Sequence, residues 1–283
     1  MTPFFPRRSL MPDCSPSLSR DVALRVRGLT LAHASTPVCQ GLDLDIPAGR
    51  ITVILGPNGC GKSTLLRGLA RLLRPLAGSV LLDGKALQRY GARELAVRLS
   101  LLPQAPQAPD GIRVGELVAR GRYPHQTFWR PWRAADGEAV REALEQTGLL
   151  TLADRPMGTL SGGQRQRAWL AFALAQNAPL MLLDEPTTYL DIAHQLEVLD
   201  LCRRLNRRQG KTLVLVLHDL NQAARYADHI IALRDGKVEA CGPPVEVITP
   251  ERVRRLFGIR CVVMPDPVSG TPLVVPVSSA AAD

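Results

Sequence analysis

Residues 56–64 read GPNGCGKST, and no other stretch constrains the fold as strongly. The pattern G-x-x-x-x-G-K-[ST] belongs between a strand and a helix. Ile51-Thr52-Val53-Ile54-Leu55 precedes it, apolar and β-branched as a buried strand requires. Leu65, Leu66, Leu69, Leu72 and Leu73 follow at helical spacing. Gly56, Gly59 and Gly61 let the main chain wrap a phosphate with its N–H groups inward. The helix starting near Lys62 adds the positive end of its dipole. Lys62 suits the β- and γ-phosphates, and the Ser63 hydroxyl suits Mg²⁺. Pro57, Asn58, Cys60 and Thr64 complete the loop, so the segment is expected to bind a nucleoside triphosphate.

A chain of 283 residues fits one large domain or two small ones. With 46% hydrophobic and 22% charged residues, a packed core is expected. The net charge of +9 suits nucleic acid, but equally an anionic membrane surface and a polyanionic nucleotide. Aromatic residues are only 4%, which argues against a base-stacking nucleic-acid binder. No run approaches the roughly 18 apolar residues that span a bilayer. Arg7 and Arg8 lack the apolar stretch of a secretion signal, so the expected place is the cytosol or a membrane face reached through partners. Cys14, Cys39, Cys60, Cys202, Cys241 and Cys261 form no C-x-x-C pair, which leaves reduced thiols as the expectation. Cys60 lies beside Lys62 at a helix start, which should favour its thiolate and make alkylation block nucleotide binding.

Residues 1–20, rich in Pro, Ser and Arg, read as a mobile extension. Val22–Leu31 reads as the first strand, with His33 after it. Leu42–Ile46 alternates as a second strand, and Gly78–Gly84 reads as a short strand and turn. Leu99–Leu102 leads into Pro103-Gln104 and a Pro/Ala/Gln-rich stretch, a linker or the boundary of an insertion. From Val114 to about Ala153 the pattern is helical, with Trp129 and Trp132 around Pro131 expected to pack on that piece. Ser161-Gly162-Gly163-Gln164 opens another helix. Alone it is either a plain capped helix or a second anion-binding start. The last stretch, Gly258–Pro276, reads as a short β-rich tail.

Leu180–Leu183 is an apolar strand ending in Asp184-Glu185-Pro186. Two acids at the edge of a buried strand are costly unless they work there. Beside a phosphate loop, Asp184 is expected to hold Mg²⁺ and Glu185 to polarise the attacking water. Asp191 opens a helix running to about Arg207. The cluster Arg203, Arg204, Arg207, Arg208 and Lys211 reads as its solvated end. Thr212–Leu217 is a further apolar strand, with His218 at its C-terminal edge, well placed for a γ-phosphate. Ile230–Leu233 and Val238–Ala240 read as a hairpin.

GPNGCGKST, LLPQ, LSGGQ, LMLLDEP, the YLD turn and the strand ending in His218 occur in one order. That order resembles the ATP-binding cassette (ABC) ATPases from about residue 22 onward, and LSGGQ separates these from other phosphate-loop proteins. RGRYPHQ, DEPTTYLDIAHQLEVLDL, HDLNQAARYADHIIALRDGK and FGIRCVVMPDPVSGTP resemble one branch, the ATPase subunits of bacterial ferric-siderophore importers. Within that branch these strings look like those of the ferric enterobactin and ferric dicitrate subunits.

The resemblance implies an α/β fold. It has a RecA-like P-loop NTPase core, an antiparallel β subdomain, and an α-helical subdomain inserted at about 105–175, all within one domain over 21–283. It implies that Gln104 contacts Mg²⁺ and the attacking water and senses a membrane subunit. Ser161, Gly162, Gly163 and Gln164 would meet the γ-phosphate of ATP held by a second copy. Asp184 would assist Mg²⁺, Glu185 would be the catalytic base, Asp191 would couple the two sites, and His218 would hold the γ-phosphate. The adenine-stacking position, commonly Tyr in the family, falls on His33, which offers less area. The implied activity is ATP hydrolysis by a homodimer at the cytoplasmic face of the inner membrane. Two separate permease subunits and, indirectly, a siderophore-binding protein would be its partners. A cobalamin or haem importer subunit is the nearest alternative, and a soluble cassette ATPase acting on nucleic acid is a more distant one.

Overall fold

The computed structural model describes residues 22–279, apart from 34, 35, 128, 130 and the side chain of His33. The first elements are β1 (Val22–His33), β2 (Thr36–Pro47), β3 (Ile51–Leu55), α1 (Lys62–Leu69), β4 (Ala77–Leu82) and β5 (Lys85–Ala86). Next come α2 (Ala92–Arg98), β6 (Leu99–Leu102), α3 (Val114–Arg120), α4 (Ala134–Gln146), α5 (Gly162–Ala175) and β7 (Leu180–Asp184). The chain continues through α6 (Ile192–Gln209), β8 (Thr212–Val216), α7 (Leu220–Tyr226), β9 (His229–Arg234) and β10 (Lys237–Gly242). It closes with α8 (Pro244–Val247), α9 (Pro250–Phe257), β11 (Ile259–Pro265) and β12 (Pro272–Ser279).

The central sheet has the order β10-β9-β3-β8-β7-β6. All its neighbours pair in parallel except the edge hairpin β9–β10. Its inner strands are buried on both faces, which is why they read as near-continuous apolar runs. Alternation then divides each run between two cores. Val53, Met181, Leu183, Leu213, Leu215 and Ile230 face the core shared with α3–α6 and the C-terminal elements. Ile54, Leu180, Leu182, Val214, Val216 and Ile231 face the core shared with α1 and a second sheet. That second sheet, β2-β1-β4-β5, is antiparallel. The helices α3, α4 and α5 occupy the interval between β6 and β7 and pack on one another through Val114, Leu117, Val118, Ala143, Leu144 and Leu170. P-loop architecture with a β subdomain and a helical insertion is thus the observed fold.

Several local expectations fail. Trp129 is 86% exposed, while Trp132, 48% exposed, only touches α4, its indole nitrogen 3.8 Å from where a Cβ on Gly137 would stand. Lys211 is not a solvated helix end. It is 7% exposed, its Nζ donating to Asn177 Oδ1 and the Ala178 carbonyl at 2.9 Å each. The chain turns inward at Gly210, which ends α6 in the left-handed conformation. Cys39, Cys60, Cys202 and Cys261 are free thiols as expected. Cys241 is disulfide-bonded against expectation, standing half-buried on the edge strand β10, where a thiol can be reached.

Candidate active site

Four parallel strands end side by side, and each delivers one part of the site. The loop after β3 carries Gly56–Thr64, β7 ends in Asp184-Glu185, β8 leads to His218, and β6 leads to Gln104. In parallel sheets, ligands bind outside the carboxyl ends of the strands. The cleft there encloses about 610 Å³ and is lined by Val38, Asn58, Gly59, Gly61, Lys62, Ser63, Thr64, Gln104, Glu185 and His218. That volume lies within the roughly 300–1,000 Å³ of small-molecule sites.

The loop takes its shape from close backbone approach. Gly56 has φ 151°, and a Cβ there would lie 2.2 Å from the Leu233 carbonyl oxygen. Only glycine fits. Lys62 opens α1 and is buried. Its Nζ donates to the carbonyls of Gly56 (2.8 Å) and Pro57 (3.0 Å), folding the loop around the ammonium. The Ser63 hydroxyl donates to Asp184 Oδ1 at 2.9 Å. Burial pushes the Asp184 carboxyl above its ordinary range. The Ser63 bond opposes this and the adjacent Glu185 charge adds to it.

Glu185 leaves β7 in the left-handed region, φ 52°. A non-glycine residue held there is strained unless its surroundings fix it. Three neighbours do so. His218 Nε2 lies 2.7 Å from Oε1, the Thr188 hydroxyl donates to Oε2 at 3.1 Å, and the Gln104 side chain also bonds the carboxylate. Burial works against the Glu185 charge, but the bonds from His218, Gln104 and Thr188 outweigh it. The carboxyl is held below its ordinary range. An ionised carboxylate facing a polar cleft is the form that accepts a proton from water.

Cys60 behaves otherwise than the sequence suggests. It is buried in the core beneath the loop and does not line the cleft. Burial pushes its thiol up, and the opposing pull of Lys62 is smaller.

Ser161, Gly162, Gly163 and Gln164 do not line the cleft. Ser161 caps α5, its hydroxyl accepting the Gln164 N–H at 3.2 Å while Gln164 Oε1 accepts the Ser161 N–H at 3.1 Å. The turn at Leu190 sits against this helix start, since a Cβ on Gly163 would meet Leu190 at 3.1 Å. Asp191 is likewise outside the cleft and caps α6, accepting from the His194 N–H at 2.9 Å. The adenine contact expected of His33 lies outside the described residues, while Val38 lines the cleft. Thr188 and Val38 were not singled out by sequence reasoning. Thr188 lies three residues beyond Glu185 in DEPTTYLD, and that spacing is the signal that would have found it.

Residues 39–188 match the family described as ABC transporter. The chain is 55% identical over 259 residues to the ferric enterobactin transport ATP-binding protein of Escherichia coli (strain K12), covering 91% of this chain and 96% of that one. Among solved structures, it resembles a metal-chelate type ABC transporter in an inward-facing conformation. The TM-score is 0.77 at 31% identity, over 91% of this chain and 98% of that chain. It also resembles a bacterial ABC transporter cassette solved as a dimer, with TM-score 0.70 at 28% identity, over 78% of this chain and 98% of that one.

Proposed function

The chain belongs to the ABC transporter family, and on that premise we propose that it hydrolyses ATP to power import of an iron(III)–siderophore complex. The observation that carries this reading is the identity to a ferric enterobactin transport ATP-binding protein along nearly the whole of both chains. The convergence of Lys62, Ser63, Gln104, Glu185 and His218 on one cleft supports the hydrolytic part.

In this reading ATP lies along the phosphate loop. Lys62 exchanges its bonds to Gly56 and Pro57 for the β- and γ-phosphates. Hydroxyl, carboxylate and amide oxygens from Ser63, Asp184 and Gln104 form the hard donor set that Mg²⁺ takes. When bound, the cation neutralises charge on the phosphate oxygens. Glu185 orients the attacking water and draws its proton. His218 turns from Glu185 toward the γ-phosphate. Ser161–Gln164 stand outside the cleft, which suits a site completed by the LSGGQ turn of a second copy, with Asp191 at the contact. Two ATP molecules are then held between two cassettes, each formed by residues 21–283.

Among the described residues no helix is long and apolar enough to cross a membrane. The arrangement proposed, by likeness to a transport ATP-binding protein, is peripheral, on the cytoplasmic face, against two separate permease subunits. The permease would dock at Gln104 and the helical insertion at about 105–175, with a separate siderophore-binding protein delivering the cargo.

The test is radio-iron uptake in cells lacking this chain, with a panel of ferric siderophores and with labelled cobalamin and haem. Wild type or Glu185→Gln is then restored. Uptake of a ferric complex that returns with wild type only is the expected result. Loss of cobalamin or haem uptake with iron uptake intact would overturn the substrate, and normal uptake of every label would overturn the importer role.

A further inference from the structure

His218 is held from two sides. Upstream, β8 fixes it to the central sheet. Downstream, it is followed by Asp219, which caps α7 by accepting the N–H groups of Asn221 and Gln222 at 2.8 Å each. A seven-residue helix has too few internal bonds to hold its own position, so its packing decides where it points.

Besides packing on β3 and α8, α7 is tied by side-chain hydrogen bonds to two further elements. On one side stands α6. Gln222 Nε2 donates to Gln195 Oε1 at 2.8 Å, and the Tyr226 hydroxyl donates to Asp200 Oδ1 at 2.9 Å. Gln195 Nε2 in turn donates to the Leu190 carbonyl at 3.0 Å, beside Asp191. On the other side stands the C-terminal hairpin. Asn221 Oδ1 accepts the Val274 N–H at 2.7 Å, and Asn221 Nδ2 donates to the Val274 carbonyl at 3.2 Å. The amide fills the place a third strand would take beside β12 and satisfies both main-chain groups of a residue only 4% exposed. Asn221 and Val274 are 53 residues apart, and the matched family region ends before either.

We infer that Asn221 is a positioning residue for ATP hydrolysis, using the β11–β12 hairpin as a fixed support to aim α7 and thereby His218. The inference rests on the reading of His218 as a working part of hydrolysis. Asn221 does not line the cleft, so its effect is on the rate of the bound state rather than on ATP binding. The C-terminal hairpin thereby becomes part of the machinery.

The test uses the full chain in five forms: kcat and KM for wild type, Asn221→Ala and Asn221→Asp, and single-turnover rates over hours for His218→Ala and the double variant. Asn221→Ala is expected to lower kcat about tenfold with KM within about twofold, the size of loss a small misplacement causes. Within His218→Ala it is expected to change the rate less than about twofold, since the residue acts through His218. Asn221→Asp keeps an acceptor for the Val274 N–H but sets a carboxylate oxygen against the Val274 carbonyl, so it should lower kcat at least as far as Asn221→Ala. If Asn221→Ala does not fold, Asn221→Asp carries the test with the same split between kcat and KM. An unchanged kcat, a loss expressed in KM, or an equal loss in both backgrounds overturns the inference. An unchanged rate in His218→Ala overturns instead the reading of His218 on which it rests.

Discussion

At the scale of single residues, the carboxylate pair divides its labour through surroundings rather than type. Asp184 is buried against one hydroxyl and its carboxyl is pushed up, while Glu185 collects three side-chain partners and is held down. Glu185→Gln removes the proposed proton acceptor and little volume. Hydrolysis should fall by about 10²–10⁴, with nucleotide affinity kept, as read by kcat and by binding of a fluorescent ATP analogue. Because bonding holds the Glu185 carboxyl low, its charged form persists to more acid pH than a free glutamate. A rate limb from this group should therefore lie below the usual glutamate value. Cys60 gives the opposite case. Its neighbours in sequence favour a thiolate, but burial opposes the charge more strongly. Iodoacetamide near neutral pH should label Cys60 slowly in the folded chain and readily in urea. Rapid labelling without denaturant would show that the loop opens far more than its packing implies.

At the scale of elements, the hairpin β9–β10 does more than close the central sheet. Its turn residue Gly236, at φ 72°, would place a Cβ 1.9 Å from the Val38 carbonyl oxygen. The Gly236 N–H donates to the Cys60 carbonyl at 3.2 Å, and the Gln40 N–H donates to the Gly236 carbonyl at 3.0 Å. The turn thus joins β2 to the underside of the phosphate loop. Gly236→Ala should cost about 1–3 kcal/mol, the usual size of enforced left-handed strain with a clash. It should also weaken ATP binding, and thermal unfolding with and without ATP measures both. A variant with wild-type melting and affinity would mean that β2 yields freely. The helix start at Ser161 is more local. Losing the cap in Ser161→Ala should cost about 1 kcal/mol, seen as a fall in the urea midpoint with an unchanged slope.

At the scale of the whole molecule, two cores meet on the two faces of one sheet, and buried thiols lie in both. Cys39 is pushed up to about 11, by burial first and then by the nearby Cys60. Cys202 is pushed up to about 12 by burial. Between the ordinary thiol value of 9.0 and those values, the unfolded chain releases protons that the folded chain keeps. Stability is therefore full below that ordinary value and falls as pH rises through the folded values. Denaturant midpoints taken upward from neutral pH should show the fall, and Cys202→Ala should lessen it. A midpoint that stays level to strongly alkaline pH would contradict the burial of these thiols.

The sequence alone determined whatever depends on a few consecutive residues. Both-face burial makes β3, β7 and β8 near-continuous apolar runs. A phosphate loop needs its glycines and lysine in fixed order, and acids at a strand edge are visible because their neighbours are not polar. Those features made the P-loop fold and most of the cleft legible before any coordinate. Tertiary structure decided what depends on distance through space. It gave Glu185 its third partner in Thr188, reversed the expectation for Cys60, and drew Lys211 inward to Asn177 and Ala178. It left Trp129 on the outside and joined Asn221 to Val274. The physical reason is common to all five. Burial and hydrogen bonding depend on which surfaces meet, and no local pattern of side chains records that meeting.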